Sequence, residues 1–108
     1  ELGVVRVPQA TGGFRYTLPD SGATMRDRHI LDRELQDFLV QAEQAANLVI
    51  VRTLSGHAQS VCEAIDRIGW NEVAGTIAGE NTLFIATRSD AEATAVVNKI
   101  SAVCGEAD

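Results

Sequence analysis

Apolar positions alternate with polar ones near the start of the chain, then recur every three to four residues, then run together. Val4, Val5 and Val7 open a β-branched stretch, and Phe14, Tyr16 and Leu18 alternate with polar neighbours. Between them Gln9-Ala10-Thr11-Gly12-Gly13 supplies the backbone freedom of a reversal, so residues 1–18 read as a β-hairpin. Pro8 falls at a strand end, where its missing N–H does no harm. Pro19-Asp20-Ser21-Gly22 has the composition of a turn and linker. From Thr24 to Ala46, Ile30/Leu31, Leu35, Phe38/Leu39 and Ala42 return at helical spacing, which predicts one long helix closed by Asn47. Leu48-Val49-Ile50-Val51, followed by Arg52-Thr53, is short, continuous and β-branched, as in a buried strand.

Ser55-Gly56 is expected to start a second helix, with Ala58, Val61, Cys62, Ile65 and Ile68 as its apolar stripe and Gly69 as its cap. Val73–Ala78 and Leu83–Thr87 read as strands around the turn Gly79-Glu80-Asn81-Thr82. The last helix opens on a capping box, Ser89 to Glu92, buries Ala93, Val96, Val97, Ile100 and Val103, and ends at Gly105. The predicted order after the hairpin is helix-strand-helix-strand-strand-helix. Helices on a small, mainly antiparallel sheet make a two-layer α+β domain. Three parts result: a hairpin at 1–19, a linker at 20–24 and a domain at 25–108.

A length of 108 residues suits one such domain with a small appendage, and 45% hydrophobic content is enough for a core. No apolar run is long enough to cross a membrane and no leader pattern is visible, which points to the cytoplasm. The first residue is Glu1 rather than Met, and a lone hairpin is marginal in water. The expectation is a piece of a longer protein, with residues 1–18 ending a domain that begins earlier.

The net charge of −6 is unevenly spread. Residues 1–33 hold five arginines against four acids, whereas residues 34–108 hold four cations against eleven acids. That break suggests parts with different partners and leaves no broad cationic field for nucleic acid.

Catalytic chemistry finds little support. Cys62 and Cys104 lack metal-type spacing and read as thiols of the core. His57 and Cys62 are five positions apart, which on a helix leaves them roughly 140° apart around the axis. They make a poor base and nucleophile. No Ser-His-Asp order, metal-ligand cluster or phosphate-cradling glycine loop stands in a suitable context, so an enzyme is not expected. His29 reads as a surface or interface residue.

A polar constellation is more informative. Gln59 and Asp66 are seven apart and share a helix face, while Glu80 and Asn81 lie at a hairpin tip with unpaired backbone groups. Such groups suit a cationic small molecule rich in hydrogen-bond donors. On spacing alone they suit a plain polar turn and a solvated helix residue better, since polar turn tips are the rule.

Asn47-Leu-Val-Ile-Val-Arg-Thr53, Gly56-His-Ala-Gln59, Gly75-Thr-Ile-Ala-Gly79 and Thr82-Leu-Phe-Ile85 together resemble the C-terminal domain of bacterial arginine repressors. Glu1-Leu-Gly-Val-Val-Arg-Val7 and Gly13-Phe-Arg-Tyr16 resemble the closing wing of that family's winged helix-turn-helix. The resemblance implies a transcriptional regulator that senses L-arginine as co-repressor, needs no other cofactor, and acts on arginine genes through operator DNA. It implies trimers that stack into a hexamer, with arginine between them. The implied ligand positions are Gln59, Asp66, Ala78, Glu80 and Asn81, and in the wing Arg6 and Arg15 would touch phosphates. Where the family usually has two aspartates after Gly79, this chain has Glu80 and Asn81. One charge fewer per site weakens attraction to a cationic ligand. Two alternatives stay open: an oligomerisation module with lost or altered ligand specificity, and, ranked last, a small hydrolase or transferase using Asp66 or His57.

Overall fold

The computed structural model describes residues 23–104. The predicted hairpin, the start of the linker, and Arg6 and Arg15 lie outside the described residues. Thr24 opens helix α1 (Met25–Phe38) with a reciprocal capping box: its hydroxyl accepts the Asp27 N–H and its own N–H donates to the Asp27 carboxylate, both at 3.0 Å. Leu31 and Leu35 are the buried side of this helix.

The helix then stops eight residues short of the expected end. Leu39–Ala45 is instead a strand, β1, which turns at Ala46-Asn47 into β2 (Leu48–Thr53). The misreading has a geometric cause. Leu39 pairs with Thr53 and Gln41 with Arg52, so Val40 is an extra residue bulged out of the ladder. The bulge turns both Leu39 and Ala42 toward the core, three positions apart, and so imitates a helical repeat. Ala46 makes the reversal with φ of 56°, the left-handed region that a β-carbon disfavours.

Helix α2 (Ala58–Ile68) begins later than expected, because Ser55 and Gly56 form the loop before it and Gly56 takes φ of +86°. Gly69 caps α2 in the left-handed conformation at φ of 70°, as its position predicts. Strands β3 (Val73–Ala78) and β4 (Thr82–Thr87) flank the turn, and α3 (Asp90–Val103) follows. The Ser89 hydroxyl accepts the Glu92 N–H at 3.1 Å, but the Glu92 carboxylate reaches the Arg88 N–H rather than closing a box.

The α+β class therefore stands, with one more strand than the sequence suggests. The sheet is antiparallel throughout in the order β1-β2-β4-β3. Helix α2 lies over β3 and β4, α3 lies over β1 and β2, and α1 packs chiefly against α2. Val49, Val51, Leu83 and Ile85 face these helices and meet Val61, Ile65, Val96 and Ile100, none more than 1% exposed. Two threonines are buried with them, and each hydroxyl finds a carbonyl: Thr53 that of Leu54, Thr87 those of Asn47 and Ser89.

The opposite face of the sheet carries no helix of the described chain. Glu43, Ile50, Phe84 and Ile77 form one row across it, in register through all four strands. Leu48, Ala86 and Gly75 form the next row. This open face accounts for the continuous apolar run in β2, which is apolar on both sides although only one is covered among the described residues.

Candidate ligand-binding site

Three elements converge at one end of the domain: the loop leaving β2, the start of α2 and the β3–β4 turn. The convergence is made by backbone hydrogen bonds. The Glu80 carbonyl accepts the N–H groups of Gly56 at 3.1 Å and Ala58 at 3.2 Å, so the turn takes up a donor that the helix start cannot satisfy internally. The Asn81 carbonyl accepts the Thr53 N–H at 2.8 Å, and the turn closes itself through Gly79 N–H to the Thr82 carbonyl at 2.8 Å. These bonds place the hairpin tip against the first turn of α2.

Gln59 is the second residue of that turn and is exposed, as are Glu80 and Asn81, while Ala78 ends β3 half-buried. Glu80 is oriented by Ser55, whose hydroxyl donates to its carboxylate at 2.6 Å. The Asn81 side-chain oxygen accepts from the Thr82 hydroxyl at 3.0 Å. Asp66 stands seven residues beyond Gln59, about 10 Å further along α2. It faces the middle of β3, where the Thr76 hydroxyl donates to its carboxylate at 2.7 Å. Gln59, Ala78, Glu80 and Asn81 thus gather at the turn, and Asp66 lies along the same α2–β3 edge.

Three contributors were not visible as such in the sequence. Ser55 read as the start of a helix, and Thr76 as part of a glycine-flanked strand. The third is the pair Phe38–His57, whose rings stack at 3.7 Å between centroids and 9° between planes, bracing the loop before α2 against the end of α1. The same brace separates His57 from Cys62. The histidine lies on Phe38, whereas the Cys62 thiol donates to the Thr76 hydroxyl at 3.2 Å. Burial pushes the Cys62 thiol above its ordinary range, helped by the Asp66 and Glu63 carboxylates and opposed by the Thr76 hydrogen bond. Neither Cys62 nor Cys104 takes part in a disulfide among the described residues.

Among the described residues no group of three or more His, Cys, Asp and Glu side chains could hold a metal ion, and no helix is long and apolar enough to cross a membrane. The turn thus carries exposed carboxylate and amide side chains and is braced by Ser55 and by the Phe38–His57 stack.

The family model for the arginine repressor C-terminal domain matches residues 35–102, and the chain belongs to that family. It is 34% identical over 105 residues to an arginine repressor of Pelotomaculum thermopropionicum, covering 97% of this chain and 70% of that protein. An arginine repressor of Caldicellulosiruptor saccharolyticus is 36% identical, with 100% of this chain and 70% of that protein covered. One of Heliobacterium modesticaldum is 38% identical over 103 residues, covering 93% and 67%. The family is one of regulators rather than of enzymes.

Proposed function

We propose that the chain is the arginine-sensing and oligomerisation part of a cytoplasmic transcriptional regulator of arginine biosynthesis or catabolism genes. L-arginine is its effector, no further cofactor is needed, and the working state is a trimer or a stacked pair of trimers. Family membership supports the regulatory role. The observation that carries the ligand reading is the stitched turn, which presents Gln59, Glu80 and Asn81 together at the surface with Asp66 on the same edge. The open sheet face supports the assembly, since the apolar side chains of Ile50, Phe84 and Ile77, in register across three strands, suit a second copy better than water.

The physical logic is one of charge. Each chain carries a net charge of −6, so bringing identical copies together is opposed by Coulomb repulsion. A ligand with a guanidinium and an ammonium, held near Glu80 and Asp66, offsets that repulsion where copies meet. It binds the assembled state best and so favours it by mass action. An assembly presenting several DNA-reading domains then gains avidity for paired operator sites. Operator DNA would be engaged through the N-terminal side of the chain, with Arg6 and Arg15 as phosphate contacts.

Calorimetry with L-arginine, paired with light scattering, is the test. The expected result is saturable heat together with growth from trimer toward hexamer, and Asp66→Ala removes both while leaving the trimer folded. An assembled protein silent toward arginine favours the alternative of an oligomerisation module with altered ligand specificity, for which the pair Glu80-Asn81 is the specific reason.

A further inference from the structure

Residues 34–108 hold four cations against eleven acids, and the fold itself engages three of the four. Arg67 pairs with Glu63 at 3.2 Å and Lys99 with Glu72 at 3.0 Å, while an Arg88 nitrogen donates to the Asn71 carbonyl at 3.3 Å. Arg52 is the exception. It is exposed, and its guanidinium makes no hydrogen bond or ion pair among the described residues. Its neighbours Val51 and Thr53 are buried on the helix-facing side, so strand alternation turns Arg52 onto the open face of the sheet.

The register places Glu43 on the same face. It pairs with Ile50 and so ends the apolar row of Ile50, Phe84 and Ile77, and Arg52 stands in the next row between Gln41 and Thr82. Among the described residues the Glu43 carboxylate accepts the Gln41 amide of its own strand, at 3.3 Å, and forms no ion pair. Of the strand residues on this face, Arg52 and Glu43 are the two that carry charge. The face is therefore neutral on a chain whose net charge is −6. Two such faces meet without the repulsion that the chain's net charge imposes elsewhere. One cation and one acid per copy is also a self-complementary set, as contact between identical subunits requires. A polyanion would find the cation there beside an acid.

We propose that Arg52 of one copy pairs with Glu43 of a second copy across the open face, and that this pair fixes how the copies are oriented. This rests on the reading of the open face as the place where copies assemble. The apolar rows supply area to bury, and they can slide or rotate on one another with little change in that area. A copy seated in the wrong orientation leaves both charges without a partner or sets like charges together. Pairing at an interface rim adds little affinity, whereas juxtaposed like charges cost much more, so the pair acts on specificity.

The experiment is a charge swap on the full chain, read by light scattering over a range of protein concentrations. Thermal melting of each variant at the lowest concentration accompanies it, and should change little because both positions are exposed. Arg52→Glu and Glu43→Arg should each raise the concentration needed for assembly by about tenfold or more. The double variant Arg52→Glu/Glu43→Arg should assemble nearly as the wild type does. An equimolar mixture of the two single variants should also regain assembly, at least in part, because each supplies the charge the other lacks. Mixing cannot restore a pair made within one chain. Wild-type assembly by both single variants, or no recovery in the double variant and the mixture, overturns the proposal and leaves assembly through the apolar rows standing. Recovery in the double variant alone overturns it in favour of a pair within the chain. A wild-type protein that stays monomeric overturns the parent reading and this one with it.

Discussion

On the helix-facing side of the sheet, Val49, Val51, Leu83 and Ile85 are wholly buried, whereas on the other side Ile77 is 53% and Phe84 42% exposed. Along Leu48–Val51 of β2 the two sides use the same residue types. An antiparallel sheet with one wet face ordinarily alternates apolar with polar. Here β2 reads Leu48-Val49-Ile50-Val51 without alternation. Apolar side chains on the open side suit a surface that is covered, and among the described residues only the opposite side is. The helix-facing side stabilises the fold, and the open side is where the proposed assembly would bury apolar area.

Substitutions on the two sides should therefore fail differently. Ile85→Ala removes a fully buried side chain between the sheet and the helices, at an expected cost of about 2–5 kcal/mol. The loss should appear in denaturant unfolding whatever the protein concentration. Phe84→Asp, one position away, leaves the helix-facing core untouched. It should instead dissociate the assembly to a monomer of 11.5 kDa by light scattering, with a fall in stability that grows with protein concentration. An assembled Phe84→Asp protein would mean that the open face is not where copies meet.

The same comparison shows how far the sequence was legible. Elements whose burial follows one period were read correctly: the stripe of α2, the cap at Gly69, the strands β3 and β4, and the fold class. Leu39–Ala45 was not, because the Val40 bulge gives a strand the spacing of a helix. The turn carrying Glu80 and Asn81 was legible as a hairpin tip from its residue types. The hydroxyls that orient the site were not. Ser55 and Glu80 are 25 positions apart, and Thr76 meets Asp66 across an element boundary. Contacts of that kind depend on which loops the sheet order brings together, and no local pattern encodes it.

A smaller effect is expected where the two faces end, at the β3–β4 turn. Asn81→Asp adds a carboxylate beside Glu80 and should tighten arginine binding by at most about tenfold, or 1.4 kcal/mol. Like-charge repulsion opposes it in the ligand-free state, so the empty assembly should be less stable. High salt should erode the gain if Coulomb attraction is its source. Titrations of both proteins at low and high salt decide the matter, and equal or weaker binding by Asn81→Asp would show that the amide suits its ligand.

The smallest effect lies on the helix side, at the edge of the covered face, where an ion pair rather than apolar packing ties α3 to the segment before β3. Lys99 reaches Glu72 at 3.0 Å and lies over the Trp70 ring at 5.2 Å. The Lys99 hydrogen bond, with help from backbone and charge, holds the Glu72 carboxyl below its ordinary value of 4.5. A carboxyl with a depressed folded-state pKa contributes stability above its unfolded pKa and loses it as pH falls through the folded value. The pair is partly exposed, which limits that contribution to about 0–1 kcal/mol. Lys99→Met keeps the apolar stem against Trp70 and removes the charge. It should therefore lower the melting temperature slightly at pH 7, and the difference from the wild type should shrink as acidification protonates Glu72. A Lys99→Met difference that stays unchanged throughout an acid titration would assign the stabilisation to contact between lysine and the indole ring instead, and would make this edge of the molecule an extension of the apolar face after all.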